Sequence, residues 1–306
     1  MEYAMASLFK QLCAMIFASP LLIVSAQQPA AAWTRTGHAA IGFVTEAKLK
    51  TDNWVVWKKL AALLGAANLY DEDIAGWADD MRANYPDVAH SVRIPVLGAI
   101  PAASDPACFP SQPNVMCADK AIAYYSAILK NEANAPAQRL EALKFILHLV
   151  GDLHQPLHGA EPGGYNEVLI AGGVLAPTNQ NGTWVYPTIH GVWDYSIVKR
   201  HGKTAIGLGQ ELWTNTVNPP VGFTPRDWAV ESRNLAKQHL FLDPANPSAN
   251  DANKVTICGG RTGTACPSNP ETLPADYETR QYALAVYRMK QAGLRLAELL
   301  VNLLTP

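Results

Sequence analysis

The stretch His148-Leu149-Val150-Gly151-Asp152-Leu153-His154-Gln155-Pro156-Leu157-His158 governs how the rest of the chain is read. It closes a segment, 137–150, in which apolar residues recur at spacings of three and four, the period of an amphipathic helix. On a helix, residues four apart share a face, so His148 and Asp152 present an imidazole nitrogen and a carboxylate oxygen side by side. Both are ligand types that zinc accepts. Phe145, Ile146, Leu147, Leu149 and Val150 around them are apolar. An aspartate among such neighbours is costly unless it is paired or metal-bound. Pro156 cannot continue the helix hydrogen bonding, so the chain turns there and His158 can face a different, nearby centre.

Downstream, His190-Gly191-Val192-Trp193-Asp194 repeats the same four-residue spacing from a second expected helix. Upstream, Gly76-Trp77-Ala78-Asp79 supplies a carboxylate and His90 another imidazole. Any one such residue is more often a surface group or a hydrogen-bonded core group. Their gathering in one chain is what points to metal. His154 faces away from the ligand side of a continuing helix and is expected outside the metal set. His201 and His239 have no motif around them and are read as structural.

Helical periodicity also covers 37–50, 54–64, 118–130, 225–242 and 274–304. Asp227 near the start of the fifth of these six helices suits a helix N-terminus. Val, Ile and Thr do not gather into alternating runs, so no large sheet is expected. Segments 159–188 and 243–274 are rich in Gly, Asn and Pro and read as long loops. The first has room for a short β-hairpin within 168–185. No internal repeat and no linker divides the chain. The expected fold is mainly α, one helical domain over 33–306.

Composition fits that reading. The 306 residues are 49% hydrophobic and 16% charged, with a net charge of -2, which excludes a disordered or low-complexity chain. Nearly balanced charge argues against a basic module that binds nucleic acid by phosphate neutralisation alone. It leaves room for an enzyme whose metal ions bring the positive charge. Residues 1–32 read as a cleaved signal peptide: Lys10 precedes an apolar run broken by Ser19 and Pro20, and Ala30-Ala31-Ala32 forms a small-x-small cleavage site. The mature chain then begins at Trp33, is exported to the periplasm or secreted, and contains no membrane-spanning segment. Of five cysteines, Cys13 leaves with the signal. The remaining four suggest disulfides, with Cys108–Cys117 and Cys258–Cys266 the simplest of three connectivities. The competing four-thiolate zinc site lacks the close Cys-x-x-Cys spacing.

Trp33-Thr-Arg-Thr-Gly-His38, Trp77-Ala78-Asp79, His148 through His158, and Ile189-His190-Gly-Val-Trp-Asp194 together resemble the zinc-dependent S1/P1-type nucleases, or 3′-nucleotidase/nucleases. The resemblance covers nearly all of the mature chain. It implies a mainly α fold related to zinc phospholipase C, with three clustered Zn2+ ions. Carried over by residue, the first zinc is bound by Asp79, His90, His148 and Asp152. The second is held by the α-amino and carbonyl groups of Trp33, by His38, and by Asp152 as a bridge. The third is bound by His158, His190 and Asp194. The implied reaction is hydrolysis of single-stranded RNA and DNA to 5′-nucleotides by a zinc-bridging hydroxide. The third zinc stabilises the departing 3′-oxygen, and 3′-mononucleotides are also substrates. The enzyme is expected to be a monomer.

The chain also departs from the family pattern. Fungal members carry an aromatic residue after the histidine matched by His90 and an Asp shortly after; here stand Ser91 and Arg93. Arg93 becomes a candidate phosphate contact. Gly163-Gly164-Tyr165-Asn166 differs from the usual Gly-Gly-Asn, and Tyr165, Trp184 or Tyr186 are candidate stacking faces. Asn181-Gly-Thr183 is a glycosylation sequon where the host glycosylates. Two alternatives stand: a zinc phospholipase C-type phosphodiesterase, against which Asp194 stands where those enzymes have Glu, and a non-catalytic exported zinc-binding protein.

Overall fold

A computed structural model describes residues 32–102, 114–161, 167–173, 175–180, 182–242, 253–258 and 265–305. Its helices are α1 (Thr34–Asp52), α2 (Trp54–Leu64), α3 (Glu72–Ala75), α4 (Trp77–Asp80), α5 (Ala118–Lys130), α6 (Pro136–His154), α7 (Ile189–Gly191), α8 (Ile197–Lys199), α9 (Ala205–Thr214), α10 (Pro225–His239) and α11 (Tyr277–Leu304). The expected mainly helical architecture is therefore present. None of these helices is long and apolar enough to cross a membrane.

Local chemistry sets the helix ends. Pro136 opens α6, where a missing amide hydrogen costs nothing, and the Gln138 side chain accepts the Ala135 N–H at 3.2 Å. In α10, Thr224 and Asp227 cap each other reciprocally and Pro225 follows the cap. The α6 helix runs beyond the periodic stretch 137–150 to His154 and gives way at Gln155, just ahead of Pro156, where the chain was expected to turn. Phe241–Leu242, expected to end a helix, form a short strand instead. The last helix starts at Tyr277 rather than at 274.

The long helix α11 lies at the centre, with most of its residues buried. Helix α1 packs on α9 and α11, and α6 packs on α5, α10 and α11. The approach of α1 to α11 is close: a Cβ at Gly293 would lie 2.6 Å from Val44 Cβ. Sheet structure is slight. Strands β1 (Ile94–Pro95) and β2 (Ala160–Glu161) pair in parallel, as do β3 (Val168–Ile170) with β8 (Glu271–Leu273) and β6 (Phe241–Leu242) with β7 (Val255–Thr256). Among the described residues only β4 (Thr178–Gln180) and β5 (Thr183–Val185) form a hairpin, Thr178 opposite Val185. The hairpin is thus the second half of the expected segment. Its first half pairs instead across the molecule with the other long loop. Cys258 and Cys266 are joined as expected. Cys117 is disulfide-bonded too, while Cys108 lies outside the described residues, as do residues 1–31 of the expected signal segment 1–32, Gly163, Gly164, Tyr165, Asn166 and Asn181.

Candidate metal centre

Helix α6 delivers His148 and Asp152 as a fully buried pair. The two oxygens of Asp152 serve different neighbours. Oδ2 lies 3.1 Å from His90 Nδ1 and 3.4 Å from His148 Nε2, while Oδ1 lies 3.3 Å from His38 Nε2. Asp79 Oδ1, from α4, is 3.3 Å from both His90 Nδ1 and His148 Nε2. Asp79, His90, His148 and Asp152 thus present four ligand atoms separated by 3.1–3.4 Å along four edges. A tetrahedron with metal–ligand bonds of 2.0–2.1 Å has edges of about 3.3–3.4 Å.

A second group lies alongside. His158 Nε2 is 3.6 Å from Asp194 Oδ1, and His190 Nε2 is 3.2 Å from Asp194 Oδ2. His190 belongs to α7, and Asp194 to a π-helical turn, Val192–Ser196, that runs on into α8. Such a turn widens the helix and is frequent at functional sites. Among the described residues three His/Asp triads can each hold a metal ion: His38, Asp79 and His148; His90, His148 and Asp152; His158, His190 and Asp194.

The residues fit zinc by a second measure. His38 Nε2, His148 Nε2, both oxygens of Asp152, His158 Nε2, His190 Nε2 and Asp194 Oδ2 are buried with no hydrogen-bond partner. Orphaned buried polar atoms are rare in folded proteins, and most of those among the described residues sit on the expected ligand residues. The other ring nitrogens explain which atom is free. His148 Nδ1 contacts the Ala75 carbonyl at 2.8 Å and His158 Nδ1 the His90 carbonyl at 2.7 Å. Each Nδ1–H donates, leaving the Nε2 lone pair for a metal.

His38 reaches the site from α1. Its ring stacks on His148 with centroids 3.9 Å apart. Gly151 makes this possible, since a Cβ there would lie 2.6 Å from His38 Nδ1. Trp33 is fully buried, and its indole donates to the Gly151 carbonyl at 3.0 Å. That bond ties the expected mature N-terminus to the turn of α6 that carries Asp152.

The histidines and carboxylates also shift one another's ionisation. Burial opposes ionisation of Asp79 and Asp152, but the neighbouring histidines outweigh it and hold both carboxyls below their usual range. Burial also pushes His148 down, and Asp152 and Asp79 reverse this, raising it to about 9. His38 goes the other way, lowered by burial and by His148. A neutral, lone-pair-bearing His38 beside two ionised carboxylates is the state that metal binding requires.

The other histidines lie elsewhere. His154 is fully buried behind the site, with Nδ1 on the Val150 carbonyl and Nε2 3.1 Å from Arg295. Both nitrogens are engaged, leaving none for a metal. His201 stacks on Tyr282 at 3.5 Å, and His239 is half-buried at the end of α10. Arg93 pairs with Glu161, and Tyr186 is half-buried. Two neighbours escaped the sequence reading. Arg82 Nη2 contacts Asp79 Oδ1 and lies 2.9 Å from His90 Nδ1; its position three after Asp79 was the available signal. Gln155 donates to Asp194, which only the tertiary structure shows.

Residues 33–305 match the S1/P1 Nuclease family. The chain belongs to that family. The three triads match the three-zinc arrangement of S1/P1 nucleases. The chain is 37% identical over 78 residues to Nuclease S1 of Aspergillus oryzae, a match covering 26% of this chain and 24% of the relative. It is 25% identical over 199 residues to Endonuclease 1 of Arabidopsis thaliana, covering 60% and 58%. It is 26% identical over 196 residues to Nuclease P1 of Penicillium citrinum, covering 60% and 65%. The matched stretches span less than two thirds of each of these relatives.

Proposed function

We propose that this S1/P1 family member is an exported zinc-dependent endonuclease that cleaves single-stranded RNA and DNA to 5′-nucleotides and removes phosphate from 3′-mononucleotides. The observation that carries the reading is the convergence of orphaned nitrogen and carboxylate atoms into three adjoining groups. The proposed ligand sets are Asp79, His90, His148 and Asp152; Trp33, His38 and Asp152; and His158, His190 and Asp194. Zinc held there supplies Lewis acidity, which yields hydroxide from water near neutral pH and offsets charge on phosphate and leaving oxygens.

The chain's own residues do the rest. The Ala75 and His90 carbonyls fix the His148 and His158 tautomers. Asp152 joins two groups through its separate oxygens. The site opens to solvent at Asp79, Arg82 and His190, whose side chains are 11%, 31% and 23% exposed. A phosphodiester entering there meets Arg82 first. Arg82, at the edge of the site beside Asp79 and His90, would offer its paired N–H groups to phosphate oxygens. Arg93 is the second proposed phosphate contact, exchanging Glu161 for substrate. Attack on phosphorus breaks the bond to the 3′-oxygen and leaves a 5′-phosphate and a free 3′-hydroxyl. No serine or cysteine nucleophile takes part. The Cys258–Cys266 disulfide supports an oxidising compartment.

The test is product analysis on chain processed to Trp33, with a single-stranded oligonucleotide and 3′-AMP, each with and without a zinc chelator. Chelator-sensitive release of 5′-nucleotides and of phosphate is expected. Zinc-loaded protein that cuts neither substrate refutes the reading, and release of phosphocholine from lecithin redirects it to the phospholipase class.

A further inference from the structure

We propose that the buried Gln155 side chain positions two ligands of the third metal centre, Asp194 and His158, so that its loss releases that zinc and leaves the other two in place. The inference rests on the three-centre reading above. Gln155 is fully buried. Its Nε2 donates to Asp194 Oδ1 at 2.5 Å, and its Oε1 accepts the Leu157 N–H. The amide orientation follows from the chemistry: a backbone N–H can only donate, so Oε1 must face Leu157 and Nε2 must face Asp194. With Oδ1 held, Asp194 keeps Oδ2 unpartnered and 3.2 Å from His190 Nε2. The same residue shapes the other ligand. Its side chain caps the 3-10 turn Pro156–His158, and its carbonyl accepts the His158 N–H at 3.0 Å.

Gln155 is itself held from behind. The carbonyls at the end of α6 lack helical partners. Ser232 of α10 donates to the Leu153 carbonyl at 2.5 Å, and Arg288 Nε of α11 donates to the His154 carbonyl at 3.0 Å. These bonds take the Leu153 and His154 carbonyls, two residues and one residue before Gln155, whose own side chain makes the bond across to Asp194. Glutamine supplies both bonds as an uncharged side chain with a fixed donor and a fixed acceptor. Glutamate can accept from Leu157 but sets a negative charge against Asp194. Leucine fills the volume and leaves the Leu157 N–H and Asp194 Oδ1 unpaired.

The experiment uses the processed chain and its Gln155→Leu, Gln155→Glu and Ser232→Ala variants. Zinc per chain is measured by elemental analysis across buffered free-zinc concentrations, with circular dichroism and melting as checks on folding. Loss of a group that orients a ligand typically weakens metal binding 10- to 100-fold. The expected result is three zincs in the wild type and two in both Gln155 variants at the same free zinc. The third returns at about 10- to 100-fold higher concentration, and Ser232→Ala keeps all three. The nearly isosteric Glu variant serves if the Leu variant does not fold. Three zincs at unchanged affinity in a folded Gln155 variant overturn the proposal. So does loss of all zincs together, or the same loss in Ser232→Ala, which would mark general loosening of the turn. A wild type that never holds a third zinc overturns the three-centre reading itself and the proposal with it.

Discussion

Replacing Gly151 by alanine probes the contact that brings α1 to α6. The added Cβ would lie 2.6 Å from His38 Nδ1 and 2.9 Å from its Cε1. An ordinary contact is about 3.5 Å, so the imidazole must move by about 0.9 Å. It is already stacked on His148 at 3.9 Å, and moving it also moves Nε2 away from Asp152 Oδ1. Metal–ligand distances tolerate only about 0.2 Å. Overpacking costs about 1–3 kcal/mol, and replacing a helical glycine by alanine returns about 1 kcal/mol. The fold should thus survive with a net loss of roughly 0–2 kcal/mol, while one zinc is bound at least about tenfold more weakly. Zinc titration by elemental analysis, with melting in chelator, separates the two effects. Gly293→Ala is the control, since its Cβ meets Val44 just as closely but touches no ligand. It should lower the melting temperature and keep every zinc. If Gly151→Ala binds three zincs with wild-type affinity, His38 is not held to the metal through this contact.

Further tests address other parts of the site. A chain beginning Met-Trp33 keeps the buried indole bond to Gly151 but carries an amide where the processed chain has a free amine. It should lose zinc from the His38 group and most activity, and equal zinc content in the two proteins refutes an α-amino ligand. Arg82→Ala should lower kcat/KM about 10- to 100-fold, or about 1.4–2.7 kcal/mol in transition-state binding, with zinc content unchanged. Arg93→Ala should raise KM; unchanged KM and turnover exclude Arg93 as a phosphate contact. Burial alone would raise the Glu231 carboxyl, but Arg295 and Arg288 outweigh it and hold it below the ordinary range. That stabilisation is present above the unfolded carboxyl value of about 4.3 and is lost as pH falls through the lower folded-state value. Glu231→Gln should cost about 2–3 kcal/mol near pH 7 in urea unfolding, because it leaves two buried arginines without their carboxylate. The difference from wild type should shrink on acidification; a difference independent of pH contradicts the ion-pair account.

Much of the centre was legible in the chain because its strongest pieces are local. His148 with Asp152, and His190 with Asp194, are set by helical spacing within one segment, and the apolar run around Asp152 marks that carboxylate as needing a partner. Pro156 marks the turn that redirects His158. Helix ends were less legible. The last helix was expected from 274 and starts at Tyr277, and Phe241–Leu242 leave the helix for a strand, since apolar spacing alone does not mark where a helix gives way. The pairing of β3 with β8 was not legible at all, because its two halves come from loops some hundred residues apart and carry no alternating pattern to announce it.

The sequence by itself determined the helical class, the metal-ligating residue types and the family, because these depend on residue identity and short-range spacing. Only the tertiary structure decided how the pieces meet. It divides the two oxygens of Asp152 between His38 and the His90–His148 pair. It sets Arg82 at the mouth, Gln155 behind Asp194, and His154 among buried arginines rather than at the metal. Those relations join groups on different helices, and contacts between helices depend on how closely the backbones approach. Here a glycine at position 151 leaves the room for the His38 ring that one extra carbon would take.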